Sequence, residues 1–158
     1  MPRPTPFVHR NLPLLLLRAR EALMQHYRPG LRAHGLSDQQ WRVLRVLREH
    51  EGGLETGRLA QQAYILGPSL TGMLARMEKS GLVARQRCPD DARRSLVAAT
   101  PDGLALADTL SDAIEAQYQD LAAHLGQARL NQLYTLLDEL IVLPSHADAE
   151  PVEALMEP

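Results

Sequence analysis

One cysteine, one phenylalanine, one tryptophan and four tyrosines are all that a chain of 158 residues holds of these types. A single cysteine, Cys88, excludes an intramolecular disulfide framework and a cysteine-built metal cluster. The shortage of aromatics leaves leucine and alanine to fill the core, which suits a helical body better than a β-sandwich. Long apolar runs are missing too. The segment LPLLLL at 12–17 is too short to cross a bilayer, and Arg18, Arg20 and Glu21 follow it directly. It also lacks the longer apolar core and cleavage site of a signal peptide, so the expected compartment is the cytoplasm. The six histidines (9, 26, 34, 50, 124 and 146) are not spaced as metal ligands. No nucleophile with a partner base and no phosphate-cradling loop is present, because Gly52-Gly53 and Gly67-Pro68 are too sparse to hold a nucleotide. The chain does not read as an enzyme.

Excess charge is absent as well, with a net charge of −2. Its distribution says more than its sum. The segment 144–158 holds Asp148, Glu150, Glu153 and Glu157 and no Lys or Arg, so the rest of the chain carries +2. Between positions 76 and 94 stand six basic residues (Arg76, Lys79, Arg85, Arg87, Arg93, Arg94) against three acids (Glu78, Asp90, Asp91). A local basic surface is what one phosphate-facing side of a protein requires.

What is present is helical periodicity with punctuation. After a proline-bearing arm at 1–11, Leu12, Leu15, Leu16, Ala19, Ala22 and Leu23 recur at helical spacing, and the helix is expected to reach about His34 with a kink or break at Pro29-Gly30. Ser37 caps a helix whose apolar face is Trp41, Leu44 and Leu47, with Val43 and Val46 beside it. Leu54-Glu55 is read as a short strand, and Thr56 as the cap of a short helix reaching about Ala63. Gly67-Pro68-Ser69 open the next helix, where proline costs nothing in the first turn. Its buried stripe is Leu70, Leu74 and Met77, and Gly81 ends it. A strand at 82–88, a charged turn PDDARR at 89–94, and a second strand at 95–100 follow. Thr100 caps a long helix to Leu125, Gly126 breaks it, and a last leucine-rich helix runs to about Leu143.

A helix followed by a two-stranded ribbon with an arginine-bearing tip is the layout of a winged helix. Such a helix enters a DNA major groove while the tip reaches the neighbouring minor groove. The expected fold class is mostly α with a small β-wing. Pro68, Ser69, Thr71, Arg76 and Lys79 lie off the buried stripe: short side chains permit close approach to base edges, and cations meet phosphate or guanine. Arg94 adds a phosphate contact at the wing. The stripe on the last helix is wide for a peripheral helix and suits packing on a second copy.

The order of elements resembles the MarR family of bacterial transcription regulators over essentially residues 7–143. Asp91-Ala92-Arg93, Val97, Thr100 and Gly103 match that family's wing pattern. Leu74, Arg76, Met77, Glu78, Gly81, Leu82, Val83 and Arg85 match its helix-to-strand pattern. The segments LPLLLLRAREALM, HGLSDQQWRVLRVL and ILGPSLTGMLARMEKSGLV are similar to the subgroup that governs homoprotocatechuate degradation. Two positions depart from the family: Ala99 replaces its usual Leu, and Gly72 replaces a polar or basic residue. The resemblance implies a homodimeric repressor on a pseudo-palindromic DNA operator, released by a small aromatic carboxylate of hydroxyphenylacetate or hydroxynicotinate type, with no cofactor. It implies dimerisation through 1–34 and 101–143, a winged helix-turn-helix domain at 35–100, and an acidic, disordered tail at 144–158. Arg93 corresponds to the wing arginine, with Asp91 holding a guanidinium in place. The effector is expected beside the first two helices, with Arg18 as its cation, His9, Asn11, Gln40 and Arg42 as polar contacts, and Trp41 as an aromatic shelf. Two alternatives stand beside this: a redox-responsive regulator acting through Cys88, and a winged-helix module that binds only protein.

Overall fold

The computed structural model describes residues 9–88 and 91–144, and for 87, 88 and 91–94 it describes the backbone only. The elements run α1 (Leu12–Ala33), α2 (Asp38–Arg48), β1 (Leu54–Glu55), α3 (Thr56–Gln62), α4 (Gly67–Lys79), β2 (Val83–Cys88), β3 (Asp91–Ala99), α5 (Pro101–Leu125) and α6 (Gln127–Ile141). Two compact units divide the chain, Met1–Ala116 and Gln117–Pro158, so α5 belongs partly to each.

Local chemistry sets the helix ends. Asn11 caps α1, its Oδ1 accepting from the Leu14 N–H at 3.0 Å. α1 ends in a Schellman turn: Gly35 takes a φ of +70°, and the Leu36 N–H donates to the Leu31 carbonyl at 3.0 Å. Of the kink or break expected at Pro29-Gly30, the break does not occur, since α1 continues to Ala33 with Pro29 inside it. Pro29 removes a hydrogen bond to the carbonyl of Gln25, but both residues are exposed and water can take the donor's place. Ser37 closes a capping box on α2: its Oγ accepts from the Gln40 N–H at 3.2 Å, and Gln40 Oε1 accepts from the Ser37 N–H at 2.9 Å. Ser37→Ala is expected to cost about 1 kcal/mol, read from the midpoint of urea unfolding.

The expected cap at Thr56 is not made. Glu55 is the N-cap of α3 and Thr56 is its first helical residue. The Thr56 hydroxyl is engaged elsewhere, bonding Ser95 Oγ at 2.8 Å and the Ser95 carbonyl at 3.3 Å, so it ties α3 to the wing. The three strands lie in the order β1-β3-β2, all antiparallel. β1 pairs Leu54 with Val97, and β2 pairs Val83 with Ala99 and Arg85 with Val97. The charged turn expected at 89–94 is shorter than that. Cys88 pairs with Asp91 across an irregular register, so 91–94 belong to β3.

One core organises the first unit. Leu31 of α1, Val43, Leu44 and Leu47 of α2, Leu59 of α3, Leu70, Leu74 and Met77 of α4, Val83, Val97, and Ala107 and Leu110 of α5 are buried together. The opening of α5 therefore packs into the body that carries α4. In the second unit, Gly126 turns the chain with a φ of +86° and Leu130 is buried, while Leu133, Leu136, Leu140 and Ile141 of α6 are exposed.

Candidate nucleic-acid interface

α4 separates its two faces cleanly. Leu70, Met73, Leu74 and Met77 are buried, and Pro68, Ser69, Thr71, Gly72, Ala75, Arg76 and Lys79 are exposed. The expected stripe is complete, with Met73 added to it. Thr71 Oγ1 donates to the Gly67 carbonyl at 3.2 Å, which holds this short side chain close to the helix. Among the described residues, neither Arg76 nor Lys79 takes part in an ion pair.

Both ends of α4 are positioned by bonds to its neighbours. At the C-terminus Gly81 takes a φ of +73°, and the Leu82 N–H donates to the Met77 carbonyl at 2.9 Å, which turns the chain directly into β2. Arg85 on β2 reaches back with Nε and Nη2 to Glu78 Oε2 at 2.9 and 2.6 Å. The guanidinium hydrogen bonds from Arg85, followed by its charge, hold the Glu78 carboxyl below its ordinary range. Arg85 thus braces the wing against α4. The sequence shows it only as one member of a basic run, since the pairing depends on a strand register that brings it back over the helix.

At the N-terminus the α3–α4 turn has a feature that sequence reasoning missed. Tyr64 adopts a φ of +53°, the one positive φ at a non-glycine among the described residues. Its N–H donates to the Gln61 carbonyl at 3.1 Å and the Ile65 N–H to the Ala60 carbonyl at 2.9 Å, so tyrosine occupies the Schellman position where glycine is favoured. Arg42 of α2 donates from Nη1 to the Tyr64 carbonyl at 3.1 Å.

Among the wing residues singled out, Asp91, Arg93 and Arg94 lie on β3, and their side chains are outside the described residues, as is that of Cys88. At the wing's exit Thr100 binds twice, donating to the Gly81 carbonyl and accepting from the Gly103 N–H at 3.0 Å. That arrangement accounts for a threonine and a glycine three residues apart.

The effector residues are placed individually. Asn11 caps α1, and Gln40 completes the α2 capping box. Trp41 is 8% exposed within the core, and Arg42 is bonded to Tyr64, its Nε buried with no partner. Arg18 and His9 are exposed, Arg18 on α1 and His9 before it. A cavity of about 470 Å³ between the end of α1 and the start of α2 is lined by Arg28, Arg32, Leu36, Asp38 and Gln40, and by none of the other five. Among the described residues, no group of three His, Cys, Asp or Glu is placed to hold a metal, and no helix is long and apolar enough to cross a membrane.

The sequence matches the MarR family model over residues 34–94. It is 40% identical over 136 residues to the homoprotocatechuate degradative operon repressor of Escherichia coli, covering 86% of this chain and 91% of that one. The fold superposes on NadR in complex with 4-hydroxyphenylacetate with a TM-score of 0.78 and 39% identity, covering 90% of this chain and all of NadR. It superposes on the transcriptional repressor CouR, bound to a 23-mer DNA duplex, with a TM-score of 0.75 and 25% identity, covering 82% and 92% of the two chains. Its buried stripe, its wing and these relatives together make the chain a member of the MarR family, whose members are transcriptional regulators rather than enzymes.

Proposed function

We propose that this protein is a homodimeric transcriptional repressor that binds a pseudo-palindromic operator and is released by a small aromatic carboxylate. One observation carries the DNA reading. α4 is anchored by four buried side chains and turns short or cationic ones, Ser69, Thr71, Arg76 and Lys79, to solvent. A rigid helix with that outer face can lie in the major groove, with Pro68, Ser69 and Thr71 at its leading end near base edges and the cations on phosphate or guanine. Arg93 on the wing reaches the adjacent minor groove, steadied by Asp91, and Arg94 meets phosphate. The DNA-bound state of CouR supports this reading.

Exposed leucines support the dimer. Leu12, Leu14, Leu16 and Leu17 on α1, and Leu133, Leu136 and Leu140 on α6, leave apolar area that a second copy would cover. The helices at 1–34 and 101–143 supply that contact in this proposal, although the opening of α5 also belongs to the core around α4.

The effector class follows from likeness to a repressor of homoprotocatechuate degradation and to NadR with 4-hydroxyphenylacetate. Arg18 is the cation for the carboxylate, since a buried carboxylate without a partner is costly. Trp41, Arg42, Gln40, Asn11 and His9 complete the site. For Trp41 and Arg42 this role is added to the packing and turn contact they already make. The acid displaces DNA because it favours a spacing of the two recognition helices that does not fit the operator.

Fluorescence anisotropy on DNA from upstream of the gene, with and without hydroxylated aromatic and pyridine carboxylic acids, tests the reading. Nanomolar-range, salt-sensitive binding that one acid releases is the expected result, and binding that no acid alters defeats the effector half. In the same assay Arg93→Ala is expected to weaken binding by about 1–3 kcal/mol and to lower the salt slope by about one. An unchanged slope removes Arg93 from the interface.

A further inference from the structure

Tyr64 and Leu66 form an exposed apolar ledge at the leading end of α4. Tyr64 is 88% exposed and Leu66, the N-cap of α4, is 79% exposed, while Ile65 between them is buried at 8%. Ile65 anchors the turn and its two neighbours project outward. Folding alone does not explain either side chain. A left-handed backbone is less favourable for tyrosine than for glycine, and a large apolar side chain in water contributes no burial. Arg42, half-buried on α2, nevertheless holds the Tyr64 carbonyl through Nη1, so the turn is fixed with its side chains presented.

We propose that this ledge is a DNA-reading element: Leu66 packs on a thymine 5-methyl group in the major groove, and the Tyr64 hydroxyl donates to a neighbouring phosphate. The inference rests on the DNA-binding role of α4. The residues that open a recognition helix are the ones that reach base edges, and Leu66 directly precedes Gly67 and Pro68 there. An aliphatic side chain in the major groove finds one apolar group on the bases, the thymine methyl. A tyrosine hydroxyl on the flank meets the backbone, where most protein–DNA hydrogen bonds are made.

Operator binding by wild type, Tyr64→Gly, Tyr64→Phe and Leu66→Ala is to be compared, using DNA in which each thymine of one half-site is replaced in turn by deoxyuridine. Tyr64→Gly is expected to match or exceed the thermal stability of wild type and yet to bind about tenfold more weakly, with Tyr64→Phe recovering little of that loss. At one position deoxyuridine is expected to weaken wild type about fourfold and to leave Leu66→Ala unaffected. Wild-type affinity in Tyr64→Gly and Tyr64→Phe overturns the phosphate contact. Equal deoxyuridine losses in wild type and Leu66→Ala overturn the methyl contact. Failure of wild type to bind any operator overturns the role of α4 itself, and the ledge with it.

Discussion

Gly103→Ala is expected to destabilise the protein by about 3 kcal/mol, even though alanine is the better helix former by about 1 kcal/mol. Steric conflict decides the sign. A Cβ at position 103 would fall 2.1 Å from the Leu82 carbonyl oxygen and 3.0 Å from its carbon. Both are backbone atoms, and no rotamer change relieves the overlap. Separating them would pull the first turn of α5 from the α4–β2 junction. That movement strains the two bonds of Thr100, to the Gly81 carbonyl and from the Gly103 N–H, and the bond from the Thr100 N–H to the Leu82 carbonyl at 3.1 Å. Gly30→Ala is the matched control: it lies in α1 with nothing within 4 Å of its added Cβ. There the propensity gain stands alone, and a rise of about 0.5–1 kcal/mol is expected. Urea unfolding followed by circular dichroism measures both. A Gly103→Ala variant as stable as wild type would show that α5 need not approach Leu82 so closely.

Leu74→Ala carries the second large effect, a loss of about 2–5 kcal/mol. Leu74 is fully buried in the cluster that includes Leu70, Met77, Leu59 and Leu44. Truncation removes apolar contact within that cluster and leaves a cavity where the core cannot easily collapse. The outer face of α4 keeps its chemistry, so any loss of operator affinity in the folded variant measures the seat of the helix and not its reading side chains. Arg76→Ala is the complement. Arg76 is exposed, so stability should stay within about 0.5 kcal/mol of wild type while operator binding weakens. Unfolding curves paired with anisotropy separate the two. Equal stability losses in both variants would contradict the division of α4 into a buried and an exposed face.

Period and punctuation made most of the first unit legible. Leu70, Leu74 and Met77 recur at helical spacing and are buried. Ser37 opens α2 and Gly81 ends α4 because capping and left-handed turns are local chemistry, decided within five or six residues. Thr100 capped α5 as its position before Pro101 suggested. Local rules failed where a distant partner competed. Thr56 looks like a cap, but β3 presents Ser95 to its hydroxyl, and the hydroxyl goes there. The charged residues 91–94 look like a turn, but β3 begins at Asp91, which pairs with Cys88 across an irregular register. Pro29 looks like a break, yet α1 passes through it where its lost bond faces water.

The interface divides along the same line. Composition and spacing determined that α4 has an apolar side and a short, cationic one, that a ribbon follows it, and that no disulfide or cysteine cluster holds the chain. These depend on residue identity and on helical or strand period alone. Tertiary structure decided which cations remain available. Arg85 is drawn to Glu78 and Arg42 to the Tyr64 carbonyl, whereas Arg76 faces solvent. It also decided that only a glycine fits at 103, where Leu82 approaches. Each of these depends on atoms brought together from different elements, and the period of a single element carries no information about what another element places against it.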